Sequence, residues 1–259
     1  MASAEENPEL SARSVDTGAL MSPDAPVELR VPLSAAGARA MLFWLIGMEL
    51  GLVLLHLVLQ YTAPFFPWGP IEGLFDLDEE ISIPTWFSTV QLFVIGVVLM
   101  LATVCNRQTL WLPNWLLLLG GAAFVLLSAD EGAMIHERIT SALKRLGQDW
   151  LLFRGERGGW ILPYLVIGVA GLLIVFRPLS KVVRRYPTES LIAVGGAVMI
   201  GVGAVGLEIV SYYFLPEQSG GMRYEVEVAV EEFMEMAGAS MILYAVLLLA
   251  GRISVPGGR

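Results

Sequence analysis

Residues 221–250 read GMRYEVEVAVEEFMEMAGASMILYAVLLLA, and the fold turns on how this stretch is read. From Val226 to Leu249 it is long and apolar enough to cross a bilayer as a helix, which takes about 20 residues for roughly 30 Å of hydrocarbon. Glu231, Glu232 and Glu235 nevertheless enter it. An ionised side chain at mid-bilayer costs roughly 2.5–3.5 kcal/mol on insertion scales, so acids at this depth need a partner or a task. Glu227, Glu231 and Glu235 fall at i, i+4 and i+8, where like charges repel along one helix face. Relief has to come from protons, a cation or partners on other helices.

The rest of the chain repeats the pattern. Of its 259 residues, 56% are hydrophobic and only 16% charged, with a mean hydropathy of +0.67. A soluble domain carries about a quarter charged residues, so the composition is that of a multi-pass membrane protein. Five more runs have spanning length: Ala40–Tyr61, Pro84–Val104, Trp115–Ile139, Trp160–Phe176 and Leu191–Leu215. The expected fold is all-α, a polytopic bundle of six transmembrane helices over residues 36–252. Residues 1–35 are polar and Pro/Ser/Ala-rich without a signal-peptide run, and are expected to form a disordered cytoplasmic tail; 253–259 form a second short one. A net charge of −9 argues against nucleic acid as a partner. Cys105 stands alone, which excludes an internal disulfide and a cysteine metal cage.

Lys and Arg counts favour both termini inside, with Arg177, Lys181, Arg184 and Arg185 as the strongest group. Nearly all the acids then lie toward the outer side, in a bacterial inner (plasma) membrane. Between the first two spans, Pro64, Pro67 and Pro70 are expected to forbid a regular helix. Asp76, Asp78, Glu79 and Glu80 follow as a solvated acidic loop, since the glycine turn and late glutamate of a calcium-binding loop are missing. Residues 147–159 are expected to lie at the interface.

Spacing brings particular acids together. Glu49, His56 and Gln60 fall at i, i+7 and i+11, on one meridian of the first span. Asp130 and Glu137 share a face of the third, flanked by Glu131 and His136. Glu208 follows a glycine run that permits close helix approach, and so points inward; Ser211 and Tyr212 are one turn on. Carboxylates with two imidazoles form the ligand set of a divalent metal, Zn, Fe or Mn. The expected ligands are Asp130, His136, Glu208, Glu235 and His56, with Glu137 or Glu231 as general base for a metal-bound water. No paired Glu-x-x-His, H-E-x-x-H, nucleophile elbow or P-loop occurs, and only two histidines are present.

The segments FDLDEE (75–80) with IPTWFS (83–88), SADEGAMIHE (128–137) and EEFMEMAG (231–238) resemble those of uncharacterised bacterial multi-pass membrane proteins. That resemblance implies a multi-pass fold and no known activity. The acids and histidines also suggest alkaline-ceramidase-like membrane hydrolases, but the H-x-x-x-H of that group is missing. Three functions stay open: a metal-dependent membrane hydrolase on a lipid-like amphiphile, a proton or cation translocator, and a non-catalytic subunit that binds a partner. Membrane lipids are expected partners in all three.

Overall fold

Ser34 starts the first helix, accepting the Gly37 amide on its Oγ at 3.0 Å and so capping an orphan donor. The computed structural model describes residues 34–66, 68–105, 112–148, 158–210 and 221–253, and both expected tails fall almost wholly outside these. Among the described residues all regular structure is helical: α1 (Ala35–Thr62), α2 (Pro70–Leu74), α3 (Ile83–Cys105), α4 (Asn114–Ala133), α5 (Ile135–Arg145), α6 (Ile161–Arg185), α7 (Pro187–Gly201) and α8 (Met222–Ile253). A π-helical segment, Val202–Leu207, continues α7. Six helices are long and apolar enough to cross a membrane: α1, α3, α4, α6, α7 with its π segment, and α8. The expected all-α polytopic bundle is the fold observed. A helix satisfies its own backbone in lipid, which is why apolar runs of this length become helices.

Three boundaries differ from expectation. The run Trp115–Ile139 is two helices, because Met134 adopts a left-handed conformation (φ 56°) and ends α4. The amphipathic α5 follows that break, and of the expected interfacial element 147–159 residues 149–157 lie outside the described part. The fourth span continues through Pro178 to Arg185, and only Tyr186 separates it from α7. Lastly, Pro70 permits a short helix by taking its first position, where a missing N–H costs nothing.

α8 is the central helix and packs against α1, α3 and α7. Its Ala239, Ile242 and Leu243 join Ile95 of α3 and Ala38 of α1 in one buried core, and its Met236 joins Leu77 and Phe87 in another. Small residues set the closest crossing. A Cβ at Gly238 would stand 2.6 Å from the Gly196 carbonyl oxygen, so α7 and α8 touch backbone to backbone there. By contrast α6 buries no residue and turns Leu165, Ile167, Leu173, Ile174 and Phe176 outward, as a lipid-facing helix would. Up-and-down order brings the end of α1 and the starts of α3 and α8 to one end of the bundle. Gln60 donates to Asp76 at 2.9 Å and the Tyr224 hydroxyl to Asp78 at 3.0 Å, tying the 75–82 loop to α1 and α8.

Candidate functional site

The acids gather at that end. The meridian predicted on α1 is the buried one: Glu49 and His56 are 0% and 1% exposed, and Gln60 reaches the loop. His56 lies between two carboxylates, with Nδ1 3.3 Å from Asp76 Oδ1 and Nε2 3.4 Å from Glu225 Oε2. Its Nδ1 also faces the Leu77 amide at 3.2 Å. Unprotonated, Nδ1 accepts from that amide; protonated, it donates to Asp76. A metal ion at Nδ1 would replace the proton and keep Asp76 as its partner. Burial alone would push the Asp76 carboxyl up, but hydrogen bonds from His56, the Asp78 amide and Gln60, with the His56 charge, outweigh it and hold the carboxyl below its ordinary value.

The second histidine is positioned by the break in the third span. Asp130 Oδ1 accepts the His136 amide at 2.8 Å, closing the start of α5, and accepts the Tyr164 hydroxyl of α6 at 2.9 Å. The His136 ring packs edge-on against Trp160, which packs in turn against Tyr164. His136 Nδ1 stands 3.6 Å from Asp130. Glu80 from the loop and the exposed Glu137 complete its surroundings. Burial first, then repulsion from Glu137 and Glu131, raises the Glu80 carboxyl to about 7.

Both histidines thus sit in three-donor groups that could hold a metal ion: His56 with Asp76 and Glu225, and His136 with Glu80 and Glu137. Within each group the donor atoms lie within 4.8 Å of one another. These distances suit N/O ligation after small adjustments.

Between them lies a dense group of carboxylates. Glu232 is an electrostatic neighbour of Glu235, Glu131, Glu231 and Glu80, and Glu231 of Glu227 and Glu208. The Ser88 hydroxyl of α3 binds Glu131. Glu208 reaches this group because the glycine run lets the π segment lie against α8. A Cβ at Gly203 would stand 3.0 Å from both the Glu231 carbonyl oxygen and the Glu235 side chain. π-helical turns recur at functional sites. Ser211 and Tyr212 lie outside the described residues.

Of the residues singled out from sequence, Glu208, Glu231 and Glu235 meet in the carboxylate group, and His136 meets Glu137. His56 stands in a separate group, with ion-pair partners Asp76 and Glu225. Asp130, whose Oδ1 holds the start of α5 and Tyr164, stays 3.6 Å from His136 Nδ1, while Glu80 joins His136 and Glu137 in the three-donor group. Asp76, Glu80 and Glu225 were missed. The acids of the loop read as solvated, and Glu225 lies in the first turn of α8, where an acid complements the helix dipole without a further partner. The α1 stripe was the signal: its polar face runs to Gln60 at the end of the helix and needs a partner from beyond it.

The sequence also gave the opposite half as nearly acid-free. There Glu189 of α7, 6% exposed, forms a salt bridge with Arg252 of α8, whose guanidinium lies 5.5 Å from the Tyr186 ring centroid. No curated protein and no solved structure matches the chain. Over residues 39–250 it matches the family model described as a domain of unknown function (DUF8692).

Proposed function

The chain belongs to the DUF8692 family, and we propose that it is an integral membrane protein that binds a divalent cation at the acidic end of its bundle. One observation carries this reading: each of the two histidines, from different parts of the chain, has two carboxylates with donor atoms within 4.8 Å. The surrounding acids repel one another and favour any cation that joins them. Imidazole with carboxylate suits Zn, Fe or Mn. In the catalytic form of this reading, a bound divalent metal would supply Lewis-acid activation of a water for hydrolysis of an ester-type bond of a lipid-like amphiphile, and Glu137 or Glu231 would take the proton of that water and return it to the departing alcohol. The Lys and Arg distribution supports an outward-facing acidic end with both termini inside, in a bacterial inner membrane.

The test is metal analysis of the detergent-purified protein. Stoichiometric Zn, Fe or Mn should be present in the wild type and reduced in His136→Ala and in His56→Ala, each of which removes the imidazole of one three-donor group. A wild type that stays metal-free after metal loading removes the reading. Glu137→Gln and Glu231→Gln test the catalytic form: metal retained but lipid-ester hydrolysis lost in one of them supports it. A second reading, proton or cation translocation, is favoured by polar groups buried deep in the bundle around Glu49. Cation-coupled proton flux in liposomes tests it.

A further inference from the structure

Glu49 lies at the midpoint of α1, far from both helix ends, and is 0% exposed. Two side chains reach it among the described residues: Gln91 of α3, 4% exposed, and Ser240 of α8, 0% exposed. Gln91 Nε2 donates to Glu49 Oε1 at 2.8 Å and to Ser240 Oγ at 2.8 Å, and Ser240 Oγ donates to Glu49 Oε1 at 2.6 Å. Every hydrogen these two side chains offer is thereby used. Both donors to Glu49 converge on one oxygen, while Glu49 Oε2 and Gln91 Oε1 accept nothing, although both are buried.

This count is uneven in an informative way. An ionised carboxylate has two equivalent oxygens and draws donors to both, whereas a carboxylic acid accepts on its carbonyl oxygen and donates from the other. Turning the Gln91 amide over would place its carbonyl against Glu49 Oε1 and remove two donors at once, so the observed orientation is the one the network requires. What the cluster lacks is a donor. No positive charge faces Glu49 from the helices packed on it: the nearest titratable groups along them are His56, seven residues on in α1, and Tyr244 and Glu235, four residues after and five before Ser240 in α8, while α3 supplies Gln91. A lone negative charge in this apolar layer is disfavoured.

We propose that Glu49 is a proton-binding site, holding a proton on Oε2 as a neutral carboxylic acid in the middle of the bundle. The ligand is a proton and not a sodium ion. Sodium, a hard cation, gathers several oxygens, and this cluster leaves only two free of a donor, Glu49 Oε2 and Gln91 Oε1.

Infrared difference spectroscopy on the full-length protein in nanodiscs tests this at neutral pH. Wild type minus Glu49→Gln should show the carbonyl stretch of one protonated carboxylic acid per chain, sensitive to deuterium exchange. Loss of a carboxylate band in its place would overturn the proposal. Because Glu49→Gln removes the group altogether, Ser240→Ala serves as an independent check. It deletes one donor to Oε1 and should shift the same band without abolishing it; an unmoved band overturns the assignment. Thermal unfolding with and without sodium separates the ions. The midpoint should be insensitive to sodium exchanged for an inert cation, and a sodium-dependent rise present in the wild type but missing in Glu49→Gln would assign the site to that ion.

Discussion

At one end of the bundle Glu189 meets Arg252 within the fold, whereas at the other Glu80, Glu131, Glu231, Glu232 and Glu235 have one another as electrostatic neighbours. The first arrangement carries its own counter-charge and joins α7 to α8. In the second, acids face acids, so their mutual repulsion favours any proton or cation that joins them. Charge in this molecule is structural where it is paired and responsive where it is crowded.

Four changes break or sharpen that contrast. Replacing a ligand should act only at the crowded end: His136→Ala is expected to weaken metal binding by at least about 100-fold, more than the 10–100-fold typical of outer-shell changes, with Glu189→Gln unchanged by the same titration. At the paired end, Arg252→Ala leaves Glu189 buried without its cation. Breaking a fully buried pair costs about 3–5 kcal/mol; with the Arg252 side chain 53% exposed, a loss of about 2 kcal/mol is expected from chemical denaturation in detergent. Asp130→Ala removes the acceptor at the start of α5 and should cost about 1 kcal/mol, with His136 less well held.

The smallest effect is that of pH on metal-free protein. Glu80, at about 7 in the fold against an ordinary 4.5, binds its proton more tightly folded than unfolded. Its contribution is complete below about pH 4.5 and vanishes as pH rises through about 7, so stability should decline across that window. Asp76 acts in the opposite sense, contributing above its ordinary 3.8 and losing that contribution as pH falls further. Thermal melts of Glu80→Gln should show a flatter slope between about pH 4.5 and 7, and an unchanged slope would deny Glu80 this role.

The six spans were legible because each is a continuous apolar run, and bilayer thickness turns length into topology. The break at Met134 was not. It depends on one non-glycine residue turning left-handed, with Asp130 and the Tyr164 hydroxyl of another helix fixing the start of α5. Intrahelical geometry placed Glu49, His56 and Gln60 on one face correctly, since helical periodicity alone decides it. What no periodicity supplies is which helix meets which. Asp76, Glu80 and Glu225 reach their histidines from a loop and from α8, and Glu189 meets a cation 63 residues later in the chain.

The π segment at Val202–Leu207 has one further consequence. It accommodates one surplus residue without a loop, so whatever follows it is turned by about 100° relative to an uninterrupted α-helix. The Gly196 crossing lies before this offset and Glu208 after it. Deleting Ala204 alone would remove the surplus residue: the π turn would close into regular α-helix, with the Gly196 seam and Glu208 both kept in place against α8. A single-residue change in chain length, with every carboxylate retained, would thereby separate the part played by the π turn itself from that of the acids beyond it.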